Sequence, residues 1–155
     1  MRKSPSTLRI FAGSFLFCIL LAGCDQKPSI SASSTGLMPK REYDPGHLEA
    51  GKKIFMENCA QCHGDNAQGA QNWHQRNSDG TFPAPPLNGT GHAWHHSNAV
   101  LTDMIRNGSQ PGEGNMPAWK DKLSDQDVDD IIAWFQSQWP DELYAAWQRT
   151  DQASQ

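Results

Sequence analysis

Five consecutive residues, Cys59-Ala60-Gln61-Cys62-His63, carry the clearest chemistry in this chain. Two cysteines separated by two residues and followed by a histidine form the attachment pattern for a covalently bound haem. Each thiol adds to one vinyl group of the porphyrin, and the two-residue gap sets the sulfur atoms about as far apart as the vinyls. The adjacent imidazole can then bind the iron. The motif predicts one haem c, held by Cys59 and Cys62, with His63 as an axial metal ligand.

Two other uses of a closely spaced cysteine pair fit less well. A thioredoxin-like dithiol belongs beside a βαβ pattern, and no β-rich run flanks Cys59 or Cys62. That interpretation also leaves His63 unexplained. A structural disulfide would need an awkwardly tight loop. The pattern therefore favours haem attachment.

Composition limits the class of protein. The 155 residues suffice for one domain, and the hydrophobic content of 37% with a mean hydropathy of −0.68 predicts a thin core. A buried haem would add apolar surface to such a core. The formal net charge is −4, and because residues 1–23 hold three cations and no acid, the remainder carries −7. This balance excludes nucleic acid as an expected partner.

The first residues are typical of an export signal. A positively charged start is followed by a short apolar run over residues 10–21, which is too short for a membrane-spanning helix. The ending Leu21-Ala22-Gly23-Cys24 resembles the lipobox of bacterial lipoproteins. The resemblance implies that Cys24 is acylated and anchors the protein to a membrane of the bacterial cell envelope, facing the periplasm. An ordinary cleavable signal with a nearby cysteine is the alternative.

The sequence divides into a leader, a tether and one folded domain. We expect the signal peptide at 1–23, a Ser-, Gly- and Pro-rich flexible tether at 24–43 and the domain at 44–150. Asp25 resembles the inner-membrane retention signal of some Gram-negative lipoproteins. Cys18 would leave with the signal, so no cysteine would remain for a disulfide.

Apolar periodicity predicts an all-α domain with long loops. We expect helices over 45–57, 98–107, 125–138 and, as a short last helix, 141–148. The third of these has a core-facing apolar stripe formed by Val128, Ile131, Ile132, Phe135 and Trp139. Asp44 and Ser97 are candidate N-caps, and Ser124 with Asp127 resembles a capping box. Residues 64–91 show little periodicity, and a loop of that length is expected only if it wraps something such as a haem.

With these elements in order, residues 45–139 resemble a class I cytochrome c domain, a small fold of helices around a covalent haem. The resemblance implies that the first and last helices of the domain cross closely. Gly51 and Phe55 match the family's positions on the first helix, and Ile131 and Trp134 match those on the last. If Gly51 abuts Trp134, a larger side chain at Gly51 would push the two helices apart. The long insert between Gly64 and Pro83 departs from the family pattern.

The same resemblance implies further haem contacts. The family's Pro-x-Leu falls on Pro85-Pro86-Leu87, so Pro85 is expected to accept a hydrogen bond from His63 and Leu87 to line the site. Met116 lies in a loop and is expected as the sixth ligand, because its soft thioether favours ferrous iron. Trp119 is close enough in sequence to reach a haem propionate. Met116 could instead fill the core.

Four histidines offer alternatives to Met116. His74, His92, His95 and His96 could bind a second metal or replace Met116 on the iron. The favoured interpretation is that they are polar loop residues and not metal ligands, because the adjacent His95 and His96 point in different directions.

These residues predict an electron-transfer protein that is not itself an enzyme. A ligand on each side of the iron leaves no site for a substrate. We expect a monohaem carrier that exchanges single electrons with redox protein partners, such as an oxidase or dehydrogenase complex in the membrane. A haem subunit, sensor or enzyme with a displaceable sixth ligand is the alternative, and a metallochaperone built on 92–96 comes third.

Overall fold

The computed structural model describes residues 41–155, and over this range the chain is helical. Its helices are α1 (Pro45–Asn58), α2 (Ala60–His63), α3 (Asn98–Asn107), α4 (Asp125–Ser137) and α5 (Asp141–Gln152), with a 3₁₀ turn at Ala93–His95. Within this range β pairing is limited to an isolated bridge between Phe82 and Gly114. The all-α prediction is confirmed.

Helix α1 begins where its capping residue indicates. The Asp44 carboxylate accepts hydrogen bonds from the backbone N–H of Gly46 at 2.7 Å and of His47 at 3.4 Å. Pro45 occupies the first helical position, where its missing N–H has no cost. The helix ends at Asn58, one residue past the predicted end, and leads directly into the cysteine motif.

Helices α1 and α4 cross at backbone contact. A Cβ atom added at Gly51 would collide with the carbonyl group of Asp130 and lie 3.0 Å from the backbone nitrogen of Ile131. The expected close crossing of the two helices at Gly51 is confirmed. Trp134 lies against Phe55, with ring centroids 4.4 Å apart. The close approach is between backbones, and the aromatic pair packs beside it.

Helix α4 contributes more buried apolar side chains to the core than any other helix between residues 41 and 155. The Ser124 hydroxyl accepts from the Asp127 N–H at 3.2 Å, and the Asp127 carboxylate accepts from the Ser124 N–H at 2.8 Å. This is the predicted capping box. The buried side chains of the predicted apolar stripe are Val128, Ile131, Ile132, Phe135 and Trp139.

Helix α5 is longer than predicted, and it supports α3. Its Asp151 carboxylate accepts from the Asn98 N–H at 2.7 Å, whereas the Ser97 side chain makes no capping bond. Ser97 is the N-cap residue, as predicted, but the side-chain hydrogen bond to the start of the helix comes from a residue 53 positions away in sequence. Trp147 of α5 also packs edge-on to Trp139, with ring centroids 6.1 Å apart.

The predicted signal peptide, Cys24 and most of the predicted tether lie outside the described residues. Residues 41–43, which end the predicted tether, pack against the domain. Arg41 donates to the Gln136 carbonyl at 3.1 Å, and its guanidinium lies 4.6 Å from the centre of the Tyr144 ring. Between residues 41 and 155, no helix has the length and apolar content needed to cross a membrane.

Candidate haem-binding site

The end of α1 and the short α2 position the attachment motif. The Cys59 N–H donates to the Phe55 carbonyl at 2.8 Å, and the His63 N–H donates to the Cys59 carbonyl at 3.0 Å. Because residues three and four apart share a face of a helical turn, this backbone turns Cys59, Cys62 and His63 toward one side. All three line the same cavity.

Burial distinguishes Cys59 from a redox-active thiol. Loss of solvation, with a smaller effect of Cys62, raises the pKa of Cys59 to about 11. Thioredoxin-like cysteines need a lowered pKa, because the thiolate is the reactive form. The environment of Cys59 therefore argues against the dithiol alternative.

His63 is oriented by a carbonyl from a distant loop. Its Nδ1 lies 2.9 Å from the carbonyl oxygen of Pro85. Because a carbonyl only accepts, Nδ1 must carry the proton, which leaves the lone pair on Nε2 for a metal. The residue is 7% exposed, and burial lowers its pKa. The neutral imidazole that iron requires is therefore the favoured form.

The loop over residues 64–91 holds Pro85 in place. Ala70 donates to the Ala84 carbonyl at 2.9 Å, and Leu87 donates to the Ala67 carbonyl at 2.7 Å. Gly69, at φ +67°, passes so close to the Pro85–Pro86 backbone that a side chain could not fit. The loop is thus internally fastened, as expected of a segment that wraps a large group.

Trp139, just beyond the end of α4, fastens the same loop. The indole Nε1 of Trp139 donates to the Leu87 carbonyl at 2.7 Å. Trp139 is the last member of the α4 apolar stripe, and its polar contact has no signature in sequence. It ties the end of α4 to the Pro85–Leu87 segment.

Met116 lies on the loop between α3 and α4 and lines the same cavity as His63. Its N–H donates to the Ser109 hydroxyl at 3.2 Å, and its carbonyl accepts from the Ser109 N–H at 3.0 Å. These bonds close the loop at its base. Met116 is half-buried, which is compatible with either of its predicted roles.

The cavity has a volume of about 940 Å³, at the upper end of the usual range for small-molecule sites. Its predicted lining residues are Cys59, Cys62, His63, Pro85, Leu87, Met116 and Trp119. Apolar side chains from α3 and α4 complete it: Val100, Leu101, Met104, Ile105, Ile131 and Phe135. The side chains of the cavity include two thiols, an imidazole with a free Nε2 and a thioether, which is the donor set that a covalent haem requires. The side chains that line this cavity therefore fit a covalently bound haem.

The histidines divide between the cavity and its surroundings. His74, His92 and His96 line the cavity, whereas His95 stacks on Trp94 with ring centroids 3.6 Å apart. His92 stacks on Trp73 at 5.2 Å. Partial burial, followed by the neighbouring His96, lowers the pKa of His92. Over residues 41–155, no group of three or more His, Cys, Asp or Glu side chains is arranged to hold a metal ion.

Comparison with known proteins agrees with this geometry. Residues 46–135 match the family model of the cytochrome c oxidase, cbb3-type, subunit III. The chain belongs to this family. It therefore contains a c-type cytochrome domain, and such a domain implies covalently bound haem c. The resemblance to cytochrome c is confirmed at this level.

Curated relatives fall into two groups. The cbb3-type cytochrome c oxidase subunit CcoP of Azospirillum sp. (strain B510) is 36% identical over 91 residues, which are 59% of this chain and 28% of the relative. The subunit FixPc of Rhizobium leguminosarum bv. viciae is 35% identical over 94 residues, 61% of this chain and 29% of the relative. Cytochrome c6 of Bryopsis maxima is 29% identical over 57% of this chain and 89% of its own length.

The chain thus spans under a third of the length of the oxidase subunits that it matches. No solved structure gave a significant match.

Proposed function

We propose that this protein is a monohaem c-type cytochrome that carries single electrons and is not itself catalytic. The observation that supports this most is the convergence of Cys59, Cys62, His63 and Met116 on one apolar cavity. The chain has one cysteine pair with the attachment spacing, so one haem is expected. A bound haem supplies a one-electron iron couple.

The residues around the cavity would set the reduction potential of that iron couple. Pro85 fixes the His63 ring through the 2.9 Å hydrogen bond, which raises the basicity of the ligand nitrogen. Met116 supplies a soft donor that favours ferrous iron. The apolar side chains of α3 and α4 exclude water, which also disfavours the more highly charged ferric state.

The alternative is a haem protein with a displaceable sixth ligand. The loop that carries Met116 is closed at its base by two hydrogen bonds to Ser109, which favours a fixed ligand. His74, His92 and His96 are the cavity-lining histidines that could replace Met116.

The cellular setting is also a proposal. An acylated Cys24 would hold the protein on a membrane of the bacterial envelope, facing the periplasm, since a lipoprotein carries enough acyl chains for stable anchoring. The relatives named as oxidase subunits support an oxidase complex as one redox partner. A carrier held on a tether is the form we propose for this chain, because a Ser-, Gly- and Pro-rich stretch precedes the domain.

A redox titration with a ligand-binding assay tests the function. The purified holoprotein should titrate as a single one-electron centre, and its ferrous form should bind carbon monoxide slowly and incompletely. Rapid, complete binding of carbon monoxide by the unmodified protein would contradict the carrier and favour the sensor or enzyme.

A further inference from the structure

We propose that Arg76, on the insert that departs from the family pattern, is a positioning residue that holds the Met116 loop closed over the haem. The inference rests on the proposed role of Met116 as sixth ligand. Two segments are involved: the insert turn, residues 77–81, and the methionine loop, residues 109–117. Arg76 immediately precedes the first and reaches across to the second.

The guanidinium of Arg76 joins the two segments. Its Nη1 donates to the carbonyl of Gly80 in the insert turn at 2.6 Å and to that of Gly112 in the methionine loop at 2.8 Å. Its Nη2 donates to the Glu113 carboxylate, with distances of 3.1 and 3.2 Å to the two oxygens. One planar side chain thus holds three groups, which a flexible ammonium cannot do in the same way.

One face of the Arg76 guanidinium packs on an aromatic ring. It lies 4.1 Å from the centre of the Phe82 ring, within the range of a cation–π interaction. Phe82 in turn donates its N–H to the Glu113 carbonyl at 3.0 Å and forms the isolated bridge with Gly114. The arginine therefore packs over the point where the two segments pair.

A second link lies closer to the ligand. The Asn115 amide donates to the Thr81 hydroxyl at 3.0 Å, and that hydroxyl donates to Asp79 at 2.6 Å. The insert turn thus contacts the methionine loop up to the residue before Met116. Opening of that loop would have to break the Arg76 contacts, the Phe82 pairing and the Asn115 bond together.

Removal of Arg76 should affect the methionine loop more than the whole domain, because the Arg76–Glu113 ion pair is exposed. The side chains of Arg76 and Glu113 are 44% and 60% exposed, and such pairs add little to global stability. Loops open with free energies far below that of global unfolding, so a small contribution changes their opening substantially. Removal of Arg76 should therefore affect exchange of Met116 more than melting of the domain.

Imidazole binding to the ferric holoprotein measures this opening, because the added ligand can bind only after Met116 leaves. We expect Arg76→Gln to bind imidazole about fivefold faster than wild type, equivalent to about 1 kcal/mol. Arg76→Lys should be intermediate. Glu113→Gln should give a smaller increase, and the double variant should match Arg76→Gln because the Glu113 bond requires the arginine.

Arg149→Gln is the matched control, since Arg149 is exposed on α5 and its loss changes the net charge equally. It should leave the rate unchanged. Equal rates in Arg76→Gln and Arg149→Gln would overturn the proposal. If Arg76→Gln does not mature with haem, Glu113→Gln is the deciding variant. A wild-type rate of imidazole binding in Glu113→Gln would then overturn the proposal that Arg76 holds the loop closed.

Hydrogen exchange of the holoprotein separates this inference from the proposed function. In Arg76→Gln, peptides that include Ser109 and Met116 should exchange faster, and peptides from α4 should not. An equal increase in α4 would mean general destabilisation and would overturn the proposal. If the wild type shows no methionine-to-iron band, the assignment of Met116 as ligand fails. The comparison of hydrogen exchange in wild type and Arg76→Gln still tests whether Arg76 holds the loop closed.

Discussion

Gly51 in α1 and Asp130 in α4 meet backbone to backbone, with no space for a side chain between them. This contact sets the distance between the helix that leads into the haem-attachment motif and the helix that forms one wall of the cavity. Phe55 and Ile131, next to the crossing, both line that cavity. The position of one glycine is thereby linked to the shape of the site.

Gly51→Ala should therefore destabilise the holoprotein, because its methyl group would force the helices apart. The expected loss is about 1–3 kcal/mol in the free energy of unfolding, measured by denaturant titration. Gly46→Ala is the control in the same helix, since its Cβ would meet only the Asp44 side chain, at 3.0 Å. Equal midpoints for the two variants would show that the crossing tolerates a side chain.

Covalent attachment can be tested directly. Haem should remain on the polypeptide through acid-acetone extraction and denaturing gels, because thioether bonds survive both. Cys62→Ala should retain at most one thioether, seen as a shifted absorption spectrum of the denatured haem. Complete extraction of haem from the unmodified protein would exclude attachment at Cys59 and Cys62.

Met116→Ala should remove the weak red absorption band of methionine bound to ferric iron, and the reduction potential should fall steeply because the soft donor is lost. His92→Ala is the matched test of the alternative ligand from the same cavity. A change of spectrum and potential in His92→Ala, with none in Met116→Ala, would instead indicate bis-histidine ligation.

The capping box should give α4 a characteristic pH dependence. The Ser124 hydroxyl, with a smaller contribution from its N–H, lowers the pKa of Asp127 below its usual value of 3.8. The charged carboxylate thus stabilises the fold above about pH 4, and this contribution is lost as the pH falls through the lowered pKa. Ser124→Ala should cost about 1 kcal/mol at neutral pH.

Asp127→Asn should reduce stability at neutral pH and flatten the pH dependence at acid pH. Asp129→Asn provides the control, since Asp129 is exposed on the same helix and caps nothing. Thermal melting between pH 2.5 and 7 measures both. A parallel pH profile for the two variants would contradict the assignment.

Mass spectrometry of the mature N-terminus tests the proposed lipid anchor. We expect a terminal Cys24 with attached acyl chains, and Cys24→Ser should release the protein from membranes. An unmodified terminus elsewhere in the leader, or wild-type protein that fractionates as soluble, would contradict the lipobox interpretation.

The sequence by itself determined the features that depend on near neighbours. The spacing of Cys59, Cys62 and His63 follows from the chemistry of one helical turn, and the Asp44 and Ser124 caps act within three residues of themselves. The α4 stripe repeats with the helical period and is buried as predicted. The all-α fold follows from these local patterns.

Only the tertiary structure decided where distant loops meet. It placed the Pro85 carbonyl on His63, as the family resemblance had implied, and it brought Met116 into the same cavity. It also brought the Asp151 carboxylate to the start of α3, where it accepts a hydrogen bond, and it placed Arg76 against the methionine loop. These contacts join residues 22 to 53 positions apart, and a loop's path over such distances is set by packing, which no local spacing encodes.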